Sequence, residues 1–462
     1  MHLLPVSVIS RRLMTGLLAV CLLTPAVPAQ HAPEPAAAAT SKTLVTAGHH
    51  MVVAANPLAA DAGRTMLRRG GNAVDAAIAT QLVLGLVEPQ SSGLGGGAFM
   101  VVAAPGGQVT TYDGRETAGA AVTDRLFLKP DGSAMAYPDT LPQGRAVGVP
   151  GVVALLAQAH AAHGKLPWAT LFEPAIALAD AGVPAWPRMV GVLTDWQRML
   201  GKAPDLVHTY YRDGAGPPAL GERLPMNEQA QSLRLLAAAG PDMFYRGPYP
   251  ARATQGTVPP GNPPFRTGAR FPAADGPDIP STSHFSIIDD DGQVVSMTTS
   301  VEFAFGSGLM AGGFVLNNQM TDFTFVPTKD GKPIANAPAA GKRPRSSMAP
   351  MVVFDATGKP VIAVGSPGGT AIIGYVAETL VAMLDWGLDP QEAVDLPIVQ
   401  NRNGPTLVEN VADADTLAAA LTAMGHTVKR EGMNSGIHAL RVTATGIHGG
   451  ADPRRDGAAL GD

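Results

Sequence analysis

Thr282-Ser283-His284 opens a run that alternates like a strand, directly after an irregular, proline-rich segment. A threonine hydroxyl alone is a poor nucleophile. Cleavage of the chain before Thr282 would change this by leaving a free α-amine on the same residue. Such an amine has an ordinary pKa of about 7.7–8.0. Near neutral pH it can take the proton of its own hydroxyl. A threonine at a strand start also fits a purely structural role, so the local residues permit this chemistry without requiring it. A second candidate is Gly365-Ser366-Pro367-Gly368-Gly369. It lacks the G-x-S-x-G spacing of a nucleophile elbow. Its successive glycine amides, at a strand end and a helix start, could stabilise an oxyanion. A plain β-to-α turn is the other reading.

Three further patterns point away from chemistry. Gly93-Leu94-Gly95-Gly96-Gly97 resembles a dinucleotide fingerprint, but a helix precedes it and a strand follows, the reverse of that motif's order. A tight loop where backbones approach closely fits better. His160 and His163 share a helix face, yet no third ligand lies nearby, so surface or partly buried histidines are expected. Asp289-Asp290-Asp291-Gly292 does not alternate its oxygens as a calcium loop does, and reads as a hairpin turn.

The elements that must position these residues follow from periodicity and punctuation. Residues 57–69 are helix-like and stop at Gly70-Gly71. Asn72 and Asp75 can cap the next helix, which Glu88-Pro89 ends. Residues 98–103 and 109–112 pair as a hairpin, as do 283–288 with 294–300 and 351–354 with 361–364. Residues 149–240 are mostly helical. The run 370–386 reads as a buried helix closed by Gly387, and 417–424 as another. Hairpins interleaved with helix pairs indicate an α+β layered fold rather than a doubly wound sheet.

Composition sets the bounds. The chain has 462 residues, 46% hydrophobic and 15% charged, ample for a core and unlike a disordered chain. A net charge of −5 without a basic run weighs against nucleic acid. Arg11 and Arg12, an apolar stretch over 13–23 and Val27-Pro28-Ala29 read as a secretory signal over 1–29, too short to span a bilayer. The single cysteine, Cys21, falls within it. A mature chain from about Gln30 would have no disulfide, no thiolate-bound metal and no cysteine nucleophile.

In order along the chain stand "GGNAVDAAIATQLVLGLVEPQSSGLGGGAFM", "DGRE", "TSHFSIIDDDGQVVSMTTSVEFAFGSG", "LNNQMTDF", "GKRPRSSMAP", "AVGSPGG" and "GGADPRRDGAALG". This ordered set resembles the γ-glutamyltranspeptidase family. The resemblance implies a four-layer αββα N-terminal-nucleophile hydrolase sandwich. It implies a precursor that cuts itself between Ser281 and Thr282 into a large-subunit portion, 30–281, and a small-subunit portion, 282–462, that stay associated. Thr282 would then attack a γ-glutamyl amide such as glutathione, forming an ester that water or an amino-acid or peptide acceptor releases. Arg115, with Ser346 and Ser347, would hold the substrate α-carboxylate. Glu302, Gln319 and Asp322 would receive its α-ammonium. Gly368 and Gly369 would supply the oxyanion amides. Ser300 stands where the family usually has a second threonine, and Thr321 where an aspartate is frequent. No metal, cofactor, nucleic acid or, once the signal is removed, membrane is implied, and the enzyme would be periplasmic or secreted. One departure stands out: over 248–280 a proline-rich stretch replaces a long family segment, so the large-subunit portion is shortened. A related cephalosporin-type acylase and a non-catalytic paralogue are the alternatives.

Overall fold

The computed structural model describes residues 41–246, 281–412 and 414–462. The expected signal and the proline-rich stretch lie outside them. The chain opens on strands β1 (Val45–Ala47) and β2 (Met51–Ala54). Helix α1 (Pro57–Arg68) is capped by the Asn56 side chain and begins with proline, at a position whose amide needs no helical partner. Helix α2 (Ala73–Val87) begins with the expected Asn72/Asp75 capping box, which satisfies two otherwise orphaned amides. Every residue of α2 is buried. Its apolar residues run all round rather than along one stripe, as suits a helix covered on all sides.

The expected hairpins all form. β3 (Gly97–Ala103) pairs with β4 (Val109–Gly114). Helices α3 (Val152–His163) and α4 (Pro187–Asp195) lie in the helical region that follows. After the proline-rich stretch, β5 (Ser283–Ile288) pairs with β6 (Val294–Ser300) and β7 (Met351–Phe354) with β8 (Pro360–Gly365). Helices α5 (Ile372–Leu384) and α6 (Pro390–Asp395) come next. Strands β9 (His438–Thr443), β10 (Gly446–Ala451) and β11 (Ala458–Gly461) complete the chain.

The strands form a six-stranded sheet, β11-β2-β5-β6-β3-β4, and a five-stranded sheet, β1-β10-β9-β8-β7. All neighbours within both are antiparallel. The sheets face each other through β5 and β6 against β8, and β2 against β10. Met51, Val53, Ile288, Ala363 and Leu440 fill the space between them. Helices α1 and α2 cover the six-stranded sheet; α5 and α6 cover the five-stranded one. This is the expected four-layer αββα sandwich.

Two expectations need adjusting. The run 370–386 is helical, but only partly buried. Ile372, Tyr375, Val376 and Met383 face inward, while Ile373 and Trp386 are each 60% exposed. An outer-layer helix is covered on one side only, and hydropathy cannot say how many neighbours a helix will have. Asp289 does more than turn a hairpin: its carboxylate also accepts from the Ala73 amide at 2.9 Å, tying the β5–β6 turn to the start of α2. His160 is partly buried and bonds the Leu166 carbonyl at 2.8 Å. Among the described residues no cluster of three or more His, Cys, Asp or Glu is placed to hold a metal. No described helix is long and apolar enough to cross a membrane.

Candidate active site

Ser283 pairs with Thr299 in the β5–β6 hairpin. Extending that register by one residue sets Thr282 opposite Ser300. The Thr282 hydroxyl donates to Ser300 Oγ at 3.0 Å, and Ser300 Oγ also accepts from the Glu302 amide at 2.9 Å. On the other side Arg455 Nη1 donates to the Thr282 carbonyl at 2.9 Å. Ser281 and Thr282 are both buried. Thr282 has φ of 135°, a conformation that a β-branched residue adopts only under strain.

Thr282 lies in a cleft whose wall also includes Ser281, Ser300, Arg115, Glu302, Gln319, Asp322, Ser346, Ser347 and Gly369. Residues far apart in sequence are thus brought together, and Gly368 alone of the expected set is not part of the wall. A side chain at Gly368 would meet the Tyr375 ring, 2.5 Å from the added carbon. Gly368 and Gly369 have φ of 131° and 56°, which glycine adopts at no steric cost. They turn the chain from β8 into the short helical turn Gly369–Ala371 that leads to α5.

Arg115 directly follows β4. Its Nη2 donates to Asp322 Oδ2 and to the Arg345 carbonyl, each at 2.5 Å. The residues assigned to opposite ends of a substrate therefore face each other as an ion pair. Backbone bonds from Ala118 to Lys342 and from Gly341 to Ala118, at 2.8 and 2.9 Å, lash the two segments side by side. That brings Ser346 and Ser347 next to Arg115. Asn317 and Asn318 shape the turn Gln319–Asp322: Asn317 Oδ1 accepts from the Gln319 amide at 3.0 Å, and Asn318 Oδ1 from the Phe303 amide at 2.9 Å.

Two carboxyl groups are strongly perturbed. Glu302 is buried and accepts from Tyr137 Oη at 3.2 Å and from Asn318 Nδ2 at 2.5 Å. Burial, reinforced by the nearby Asp322 charge, pushes its carboxyl well above the usual range. Glu116, just after Arg115, is fully buried, and neither carboxyl oxygen has a hydrogen-bond partner. Burial raises its pKa from 4.5 to about 8, against the pull of Arg115, whose Nη1 lies 3.7 Å away.

Several participants had no assigned role from sequence. Glu116, Arg345, Met348 and Arg455 fall inside the recognisable motif blocks, so their neighbourhood was legible but their contacts were not. Thr370 and Ile372 join the cleft wall through the turn into α5. Tyr137 lies in a stretch with no motif, and only the fold brings it to Glu302.

The γ-glutamyltranspeptidase family model matches residues 59–257 and 252–462. The chain belongs to the γ-glutamyltranspeptidase family. A glutathione hydrolase proenzyme of Bacillus subtilis (strain 168) is 27% identical over 582 aligned positions, covering 97% of this chain and 98% of that protein. The acylase ACY 1 proenzyme of Pseudomonas sp. (strain SE83) is 26% identical, covering 88% of this chain and 92% of that one. The crystal structure of cephalosporin acylase from Bacillus halodurans shares the fold, with a TM-score of 0.78 and 24% identity over 92% of this chain and 97% of its own. The alignment to the Bacillus subtilis glutathione hydrolase proenzyme is longer than this 462-residue chain. Part of that relative therefore has no counterpart here. The two family-model matches overlap at 252–257, inside the proline-rich stretch.

Proposed function

We propose that this chain is a self-cleaving γ-glutamyl hydrolase or transferase whose nucleophile is Thr282. The reading rests chiefly on the 3.0 Å contact between Thr282 Oγ1 and Ser300 Oγ in a cleft that also holds the Arg115–Asp322 pair. An α-amino-acid end carries both charges, and that pair complements them: its carboxylate meets the guanidinium, its ammonium the carboxylate. Ser346, Ser347, Gln319 and Glu302 offer further polar contacts around it.

In the first step Thr282 Oγ attacks the Ser281 carbonyl carbon. The C–N bond breaks, the hydroxyl proton passes to the Thr282 nitrogen, and Ser281 becomes an ester on Oγ. Water hydrolyses that ester, leaving Ser281 as a C-terminal carboxylate and freeing the Thr282 hydroxyl beside the amine already released. The strained φ at Thr282 favours this rearrangement, because breaking the peptide relieves it. In each later turnover the amine takes the hydroxyl proton as Oγ attacks the substrate γ-carbonyl, and the departing amine carries that proton away. The Gly368 and Gly369 amides stabilise the oxyanion. Water or an acceptor amine then releases the γ-glutamyl group. Export to the periplasm or beyond belongs to the same reading.

Purified protein should show two bands, the smaller beginning at Thr282 by N-terminal sequencing. Thr282→Ala should remain one band and hydrolyse no γ-glutamyl anilide. A single wild-type band that persists on long incubation, or activity retained in Thr282→Ala, would sink the proposal.

A further inference from the structure

The residues on either side of Thr282 are both gripped by the turn that follows α2. Odd-numbered residues of β5, such as Phe285 and Ile287, share a core with α2, while His284 and Ser286 face the second sheet, where Ser286 Oγ donates to the His438 carbonyl at 3.0 Å. Ser281 and Ser283 follow the odd set. Ser281 Oγ donates to the Gln90 carbonyl at 2.6 Å, and Ser283 Oγ to Glu88 Oε2 at 3.0 Å. Both acceptors belong to the turn that ends α2. The carbonyls of Gln90 and Ser91 also accept from the Phe305 and Val301 amides, at 3.2 and 3.0 Å. One turn therefore holds Thr282 by its neighbours and steadies the chain just beyond Ser300.

The turn is itself anchored by an ion pair. Arg188, in the first turn of α4, donates through Nη1 to Glu88 Oε2 at 3.0 Å and to Ser91 Oγ at 2.5 Å. Its backbone amide donates to Asp456 Oδ2 at 3.2 Å. The Arg188 and Glu88 side chains are each 1% exposed. Burying two charges costs desolvation that can exceed their attraction, so stability alone is a poor reason for such a pair. What directed charge-assisted bonds add is geometry. Here the geometry they determine is that of the strained residue between Ser281 and Ser283.

We propose that Glu88 and Arg188, acting through Ser283 and Ser91, are positioning residues for self-cleavage: they hold the Ser281–Thr282 peptide in its strained form with the hydroxyl in place. This rests on the reading that the chain cuts itself before Thr282. None of the four lines the cleft, so the effect belongs to maturation and not to substrate binding.

The test uses the full chain. Ser283→Ala removes one hydroxyl and leaves the ion pair intact. Precursor conversion, followed on gels, should slow about tenfold, the loss expected for one hydrogen bond to a charged group. The thermal midpoint should fall by a few degrees at most, as the loss of one hydrogen bond allows. Once conversion is complete, KM for a γ-glutamyl anilide should also equal the wild type's. Glu88→Gln should slow conversion further; should it fail to fold, Ser283→Ala decides alone. Wild-type conversion in Ser283→Ala overturns the inference while leaving the cleavage reading intact. So does an equal slowing in Met383→Ala, a core change on α5 away from this turn, at a comparable fall in midpoint, which marks a merely structural role. A wild-type chain that never cuts overturns both.

Discussion

Thr282 and Ser300 meet because strand register puts them opposite each other, and the hydrogen bond between them follows from that pairing. Around the substrate end, single residues differ in how ready they are to meet a cation. Asp322 is already paired with Arg115, whereas burial favours the neutral form of Glu302. Asp322 should therefore carry more of the ammonium recognition. Asp322→Asn should raise KM for a γ-glutamyl anilide about tenfold or more, and leave KM for the glutaryl anilide, which lacks the α-amino group, nearly unchanged. Steady-state kinetics on the two substrates check this; an equal effect on both would favour the acylase alternative. The residue types of this site were legible in sequence as motif members. The Arg115–Asp322 contact was not, because pairing between residues 207 positions apart depends on a fold that no local pattern encodes.

Among the elements, the glycine-rich loop between α2 and β3 shows local reading at its best. The sequence order excludes a nucleotide loop and leaves close backbone approach. In the fold, a side-chain carbon on Gly95 would lie 2.1 Å from the Val315 carbonyl oxygen, and one on Gly96 2.2 Å from that of Ser300. Gly96→Ala must therefore push the end of β6 away from the loop. It should cost about 1–3 kcal/mol and slow precursor conversion by displacing Ser300. Thermal unfolding and gel analysis measure the two effects. Helix α5 shows the reverse case. Its composition implies burial on every side, but its outward face is left open, since burial is decided by what packs beside a helix and not by the helix itself.

At the level of the whole molecule, the two portions are interleaved. The six-stranded sheet takes β2, β3 and β4 from before Thr282 and β5, β6 and β11 from after it. A cut at Thr282 leaves every strand pairing intact. The fragments should co-elute on size exclusion and separate only in denaturant. Buried Glu116 adds a global pH dependence. Its folded pKa of about 8 lies above the ordinary 4.5, so the folded state holds a proton that the unfolded state releases between those values. The stability this gives is present below about pH 4.5 and is lost as pH rises through about 8. Glu116→Gln cannot ionise, so its thermal midpoint should gain on the wild type's across that range, as scanning calorimetry at several pH values would show. By itself the sequence determined the family, the hairpins, the capped helices and the residue types of the site, because these follow from spacing, periodicity and local turn chemistry. Only the tertiary structure decided which of those residues touch, which carboxyl groups are stripped of water, and that Thr282 is strained between two serines bonded to the turn after α2. Those properties arise from contacts between segments hundreds of residues apart, and they exist only once the sheets and helices have packed.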